Sequence, residues 1–130
     1  MYSGSCFCGD VRYEIHGDIG IAYYCHCSRC RKISGSAFSS NAVIDPGDLV
    51  VTKGKNSLKA TISDSGVSRV FCSSCGSSLW VSQDDQMRLR LGTLDTPLSE
   101  APKMHIFTGS KPNWFAICDD LPQHIEQPPG

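Results

Sequence analysis

Cysteine thiolates at close spacing bind borderline and soft metal ions, and this chain gathers seven of its eight cysteines into three tight groups. The groups are Cys6 and Cys8, then Cys25, Cys27 and Cys30 around His26, then Cys72 and Cys75, while Cys118 stands alone. Zinc takes four such ligands in a closed structural site, and three plus an open position where it does chemistry. Seven clustered ligands divide as four and three. The pairs Cys6/Cys8 and Cys72/Cys75 would close one site and staple the N-terminal strand to the middle of the sheet. The triple Cys25-His26-Cys27-Ser28-Arg29-Cys30 leaves a fourth position for something else. Three thiolates make zinc a poor Lewis acid there, so an external thiol, held as its anion beside an electrophilic carbonyl, is the better match.

Other assignments compete. His26 or Cys118 could complete the triple and make a second closed site. A residue flanked by two coordinating cysteines tends to point away from the metal, however, and Cys118 after Phe115-Ala116-Ile117 reads as a buried strand thiol. Disulfides are disfavoured by the strained ring that Cys-x-Cys closes and by the missing export signal. Cys72-Ser73-Ser74-Cys75 as a redox pair lacks a following helix to lower a thiol pKa. Arg29, Arg31 and Lys32 either orient an anionic substrate or form a solvated face that offsets thiolate charge. His105, alternating with Met104 and Ile106, is expected to be a surface or hydrogen-bonded structural histidine, with a site role as the alternative. Trp114 and Phe115 are expected in the core.

The strands and turns expected to carry these cysteines are short. Val11, Tyr13 and Ile15 alternate with Arg12 and Glu14, and Met87, Leu89 and Leu91 with Arg88 and Arg90, the period of half-buried strands. Further β-rich pieces are 21–24, 37–44, 49–52, 58–62, 67–71, 79–82, 104–108 and 114–117. Turn signals such as Asp45-Pro46-Gly47 and Asp64-Ser65-Gly66 separate them. The pattern predicts an all-β fold, with one helical turn at 28–34 and the cysteines in loop knuckles.

The 130 residues carry 12 basic and 13 acidic side chains, a formal net charge of −1. That balance argues against a nucleic-acid or membrane-surface protein. The N-terminus shows no signal peptide, and no stretch approaches a membrane span. The expectation is a soluble cytoplasmic protein, with one zinc-binding β domain over 1–125 and a frayed tail over 126–130.

Three stretches carry a family resemblance. Gly4-Ser5-Cys6-Phe7-Cys8-Gly9-Asp10-Val11-Arg12-Tyr13, Cys25-His26-Cys27-Ser28-Arg29-Cys30-Arg31-Lys32 and Phe71-Cys72-Ser73-Ser74-Cys75-Gly76-Ser77-Ser78-Leu79 together resemble the glutathione-dependent formaldehyde-activating enzyme family, which includes centromere protein V. The resemblance continues through Gly92-Thr93-Leu94-Asp95, Lys111-Pro112-Asn113-Trp114 and Asp119-Asp120-Leu121-Pro122. It implies an all-β, tent-like fold of short antiparallel strands with two zinc sites. Cys6, Cys8, Cys72 and Cys75 would hold a structural zinc, and Cys25, Cys27 and Cys30 a catalytic one. The implied activity is that of a carbon-sulfur lyase joining glutathione to formaldehyde as S-hydroxymethylglutathione. The implied partners are a small-molecule thiol such as glutathione and an aldehyde, with no nucleic acid and no membrane. The competing function is a non-catalytic zinc-stabilised binding module for a protein or a small thiol.

Overall fold

The computed structural model describes residues 1–127. Within them lie ten strands, β1 (Tyr2–Ser5), β2 (Arg12–Ile15), β3 (Ala22–Cys25), β4 (Ser39–Ile44), β5 (Leu49–Lys53), β6 (Leu58–Ile62), β7 (Ser68–Cys72), β8 (Ser78–Gln83), β9 (Gln86–Arg90) and β10 (His105–Ile106). One helix, α1 (Ser28–Ser34), follows β3. The fold is all-β, as the sequence predicts. Residues 128–130, part of the tail expected to fray, lie outside the described residues, and just before them the Glu126 carbonyl accepts the Phe107 N–H at 3.0 Å. No helix among the described residues is long and apolar enough to cross a membrane.

The strands form a three-stranded sheet in the order β1-β2-β5 and a seven-stranded sheet in the order β10-β3-β4-β9-β8-β7-β6. Every pairing is antiparallel except that of β10 with β3. Period-two alternation decides what each face presents. Val11, Tyr13 and Ile15 turn inward from the small sheet to meet Ile44, Leu79, Trp80 and Leu89 from the large one. Tyr13 and Trp80 pack edge to face with ring centroids 5.9 Å apart. Since Leu89 faces this core, its neighbours Arg88 and Arg90 are directed to the opposite face of the large sheet.

Gly4 makes the close approach of β1 possible. A Cβ there would overlap the Tyr13 ring and the Thr93 carbonyl, and Tyr13 is fixed by the core and by a 2.7 Å bond to the Thr93 hydroxyl. Gly4→Ala is expected to cost about 2–3 kcal/mol, as overpacking does, with urea denaturation as the measurement.

Three expectations are corrected here. Residues 114–117 form no strand, and Trp114 is 69% exposed rather than buried in the core. Cys118 is likewise exposed. The physical reason is that the edge of β10 is already taken by the segment around Gln123, which bridges to His105, so the intervening residues loop outward.

Candidate metal centres and the adjoining cavity

The four sulfurs of Cys6, Cys8, Cys72 and Cys75 lie within 4.8 Å of one another, although the two pairs are far apart in the chain. Both loops have the same build. Cys6 N–H reaches the Val11 carbonyl at 3.1 Å and Cys72 N–H the Ser77 carbonyl at 3.0 Å, with Gly9 and Gly76 each at φ +81°. That left-handed backbone favours glycine and folds the amides around the sulfurs. Val11 N–H donates to Cys6 Sγ at 3.3 Å, and the Ser77 hydroxyl and backbone amide hold the Cys75 thiol down to about 5. Phe7 N–H ties one loop to the other through the Ser77 hydroxyl at 2.9 Å. Sulfur separations of 3.6 Å (Cys6 to Cys8) and 3.9 Å (Cys8 to Cys72) bracket the edge of about 3.8 Å for a tetrahedron with bonds of about 2.3 Å to zinc. The donor set fits zinc.

The three sulfurs of Cys25, Cys27 and Cys30 also gather within 4.8 Å, and no fourth His, Cys, Asp or Glu ligand atom joins them among the described residues. Cys25 ends β3. Cys27 is the N-cap of α1, its sulfur accepting the Cys30 N–H at 3.3 Å. Thiols this close share their protons unequally. Hydrogen bonds from Cys25 and Cys30 hold Cys27 down to about 2, whereas Cys25 is pushed up by its contacts with Cys27 and Cys30 and by burial. A divalent cation removes this competition by replacing the shared protons, so this donor set also fits a metal ion, with one position left for an outside ligand.

His26 and Cys118 do not complete the triple. The His26 ring is fully buried, and its Nε2 lies 2.8 Å from His105 Nδ1. His105 Nε2 in turn lies 3.0 Å from both carboxylate oxygens of Asp119. A carboxylate only accepts, so His105 Nε2 carries a proton; in the neutral ring Nδ1 then accepts, and His26 Nε2–H donates. Burial, with His105 and Lys111 beside it, drives His26 down to about 4, keeping it neutral, and contact with His105 holds Asp119 below the usual carboxylate range. Phe38 and Phe115 pack on His26, at 5.3 and 6.1 Å between centroids. This chain of side chains fastens the backbone between Cys25 and Cys27 to β10. His105 is thus a hydrogen-bonded structural histidine; it and Ile106 are both buried because β10 is covered by β3 on one edge and by 122–126 on the other. His105→Ala strips His26 Nε2 of its acceptor while Nδ1 already lacks a partner among the described residues. Its expected cost is about 2–4 kcal/mol, read by denaturant titration.

Beside the triple opens a cavity of about 620 Å³. Cys25, Cys27 and Cys30 form one wall, with Met104, Ile106 and Phe107 adding apolar surface. The floor is the outer face of the large sheet. The register aligns Tyr23 with Asn41 and Asn41 with Arg90, then Val43 with Arg88, Arg88 with Val81 and Val81 with Arg69. Arg90 Nη1 donates to Asn41 Oδ1 at 2.7 Å and its Nε to the Ser78 hydroxyl at 3.2 Å. Burial pushes the Tyr23 phenol up to about 12, so it stays an O–H donor. Of the three cations singled out in the sequence, Arg29 lines the cavity, while Arg31 and Lys32 are not part of its wall. Arg69, Arg88, Arg90, Asn41 and Tyr23 also line the cavity, beyond the residues to which the sequence motifs point. For Arg88 and Arg90 a signal is present, because the alternation Met87-Arg88-Leu89-Arg90 sends both arginines to the face opposite the core.

This is a β-sheet protein with two cysteine clusters that could hold metal ions, the three-sulfur one beside a cavity with room for a ligand. Residues 1–110 match the family model described as "Glutathione-dependent formaldehyde-activating enzyme". The chain belongs to that family. A Halomonas elongata protein named for the same activity is 30% identical over 127 residues, which cover 90% of this chain and 81% of the relative. A Penicillium rubens protein so named is 31% identical over 77 residues, 58% of this chain and 40% of its own. The crystal structure of a Rhodobacter sphaeroides protein shares the fold, with a TM-score of 0.63 at 22% identity, covering 77% of this chain and 97% of the other.

Proposed function

We propose that this chain is a zinc-dependent carbon-sulfur lyase that joins glutathione to formaldehyde as S-hydroxymethylglutathione, with residues 1–125 as its single zinc-binding β domain. The observation that carries the reading is the three-sulfur cluster, short of a fourth ligand among the described residues, at the wall of a cavity of about 620 Å³. Cys6, Cys8, Cys72 and Cys75 would hold a structural zinc. Cys25, Cys27 and Cys30 would hold the second, which supplies a place where an incoming thiol is kept as its anion at neutral pH.

The chain's own residues do the rest. Cys25 and the N-cap Cys27 are set by the end of β3 and the start of α1, and the His26–His105–Asp119 chain holds the backbone between them, so the opening faces the cavity. Met104, Ile106 and Phe107 keep part of the wall apolar, which limits water around the reacting sulfur. In the addition the sulfur lone pair forms a C–S bond as the carbonyl π bond breaks, and the thiol proton is delivered through solvent to the new alkoxide oxygen. No oxidant or reductant is consumed.

The test is the rate of S-hydroxymethylglutathione formation, followed by NMR exchange above the uncatalysed background. Zinc-loaded wild type should exceed that background and Cys27→Ser should not; equal rates overturn the reading.

A further inference from the structure

We propose that the cavity beside Cys25, Cys27 and Cys30 selects a thiol bearing two carboxylates, and that Arg69, Arg88 and Arg90 bind them. This inference deepens the reading above and rests on it for the thiol.

Arg90 shares a row of the sheet with Asn41 and Tyr23, and Tyr23 is two residues along β3 from Cys25. Arg88 is the next residue of β9 on the same face, about 7 Å further on. Arg69 lies across Val81 from Arg88, two strands and about 10 Å away. The arginines thus recede from the sulfurs along one floor, spaced for anionic groups at different distances from a single thiol.

Charge leads to the same class of ligand. The described residues lining the cavity include Arg29, Arg69, Arg88 and Arg90 and no Asp or Glu. No acidic side chain among the described residues pairs with any of the four. Arg90, 8% exposed, is met by a neutral amide and a hydroxyl, and Arg88 donates to the neutral Gln86 side chain at 3.1 Å. A guanidinium withdrawn from water without a counter-charge is costly. Three thiolates on one divalent ion leave a single negative charge to set against four arginines. Two carboxylates offset two of the three positive charges left over, and the planar guanidinium fork matches their geometry. Arg90 Nη2 has no protein partner among the described residues and remains for such a group.

S-Methylglutathione isolates this contact, because its sulfur carries no thiol to ionise. Binding to zinc-loaded protein is measured by calorimetry for the diacid and for its diethyl ester, with zinc content confirming each variant's fold. The wild type should bind the diester at least about tenfold more weakly than the diacid, the scale of one charge-assisted hydrogen bond. Arg69→Gln and Arg88→Gln, at half-buried positions, should each weaken diacid binding about tenfold and leave the diester unchanged, while Lys32→Gln changes neither. Equal affinity for diacid and diester, variants that match wild type, undetectable diacid binding, or tighter binding of the phosphate-bearing coenzyme A would each overturn the proposal. The lyase reading fails separately. Arginine-dependent diacid binding with no rate above background keeps this inference and removes catalysis, whereas a catalysed rate indifferent to esterification does the reverse.

Discussion

Replacing Cys72 by alanine is expected to abolish the folded state at room temperature and, with Cys6, Cys8, Cys72 and Cys75 as the proposed zinc ligands, to release that zinc. Cys72 is fully buried in the main core, in one cluster with Cys6, Val11, Tyr13 and Leu79. Its sulfur lies 3.9 Å from that of Cys8, 64 residues earlier in the chain. The substitution therefore removes a ligand, opens a void in the core and frees the N-terminal loop from the large sheet. A structural zinc site contributes about 10–16 kcal/mol to folding in small domains, while a whole domain is stable by only about 5–15 kcal/mol. Losing one of four ligands forfeits a large part of the first figure, and with the core void added the loss is comparable to the whole of the second. Circular dichroism melts with zinc analysis read the outcome: no cooperative transition and little bound zinc. A variant melting within a few degrees of wild type would show that this cluster does not hold the fold together.

The legibility of the chain follows how local each signal is. Period-two alternation marks β2 and β9 well, because one face of each is buried and the other is not. Seven cysteines at knuckle spacing mark both clusters, since ligand geometry is written in sequence spacing. Strand β1, Tyr-Ser-Gly-Ser, carries no apolar alternation; it is held by register with β2 and by the Gly4–Leu94 bridge, contacts that no local pattern encodes. The stretch around Trp114 shows the converse. Its apolar residues look like a strand, but another segment already occupies the edge they would need. The arginine floor was hidden for a related reason. The alternation of β9 says which way Arg88 and Arg90 point, but only the pairing of β9 with β4 and of β3 with β4 places that face beside Cys25.

Cys27→Ser is expected to do the opposite of Cys72→Ala, leaving a folded protein with one zinc in place of two and no catalysed adduct formation. The contrast rests on where the residue sits. Cys27 is half-buried at the N-cap of α1 and belongs to the smaller cluster around Tyr23, Cys25 and Ile106. Its structural duty is to accept the Cys30 N–H as an N-cap, and serine performs that duty at least as well. The helix survives, and the His26–His105–Asp119 chain continues to hold the backbone beside it. The melting temperature should fall by only a few degrees, the equivalent of about 1 kcal/mol. The metal is another matter, since two remaining thiolates at an open site hold zinc far less well than three. Loss of the place where the thiol is kept as its anion removes about 3 kcal/mol or more of transition-state stabilisation, at least a hundredfold in rate. Zinc analysis, a thermal melt and the NMR rate on one preparation decide the matter. If Cys27→Ser unfolds as Cys72→Ala does, the two clusters share one structural role. If it keeps both zinc ions and the full rate, the chemistry belongs elsewhere in the molecule.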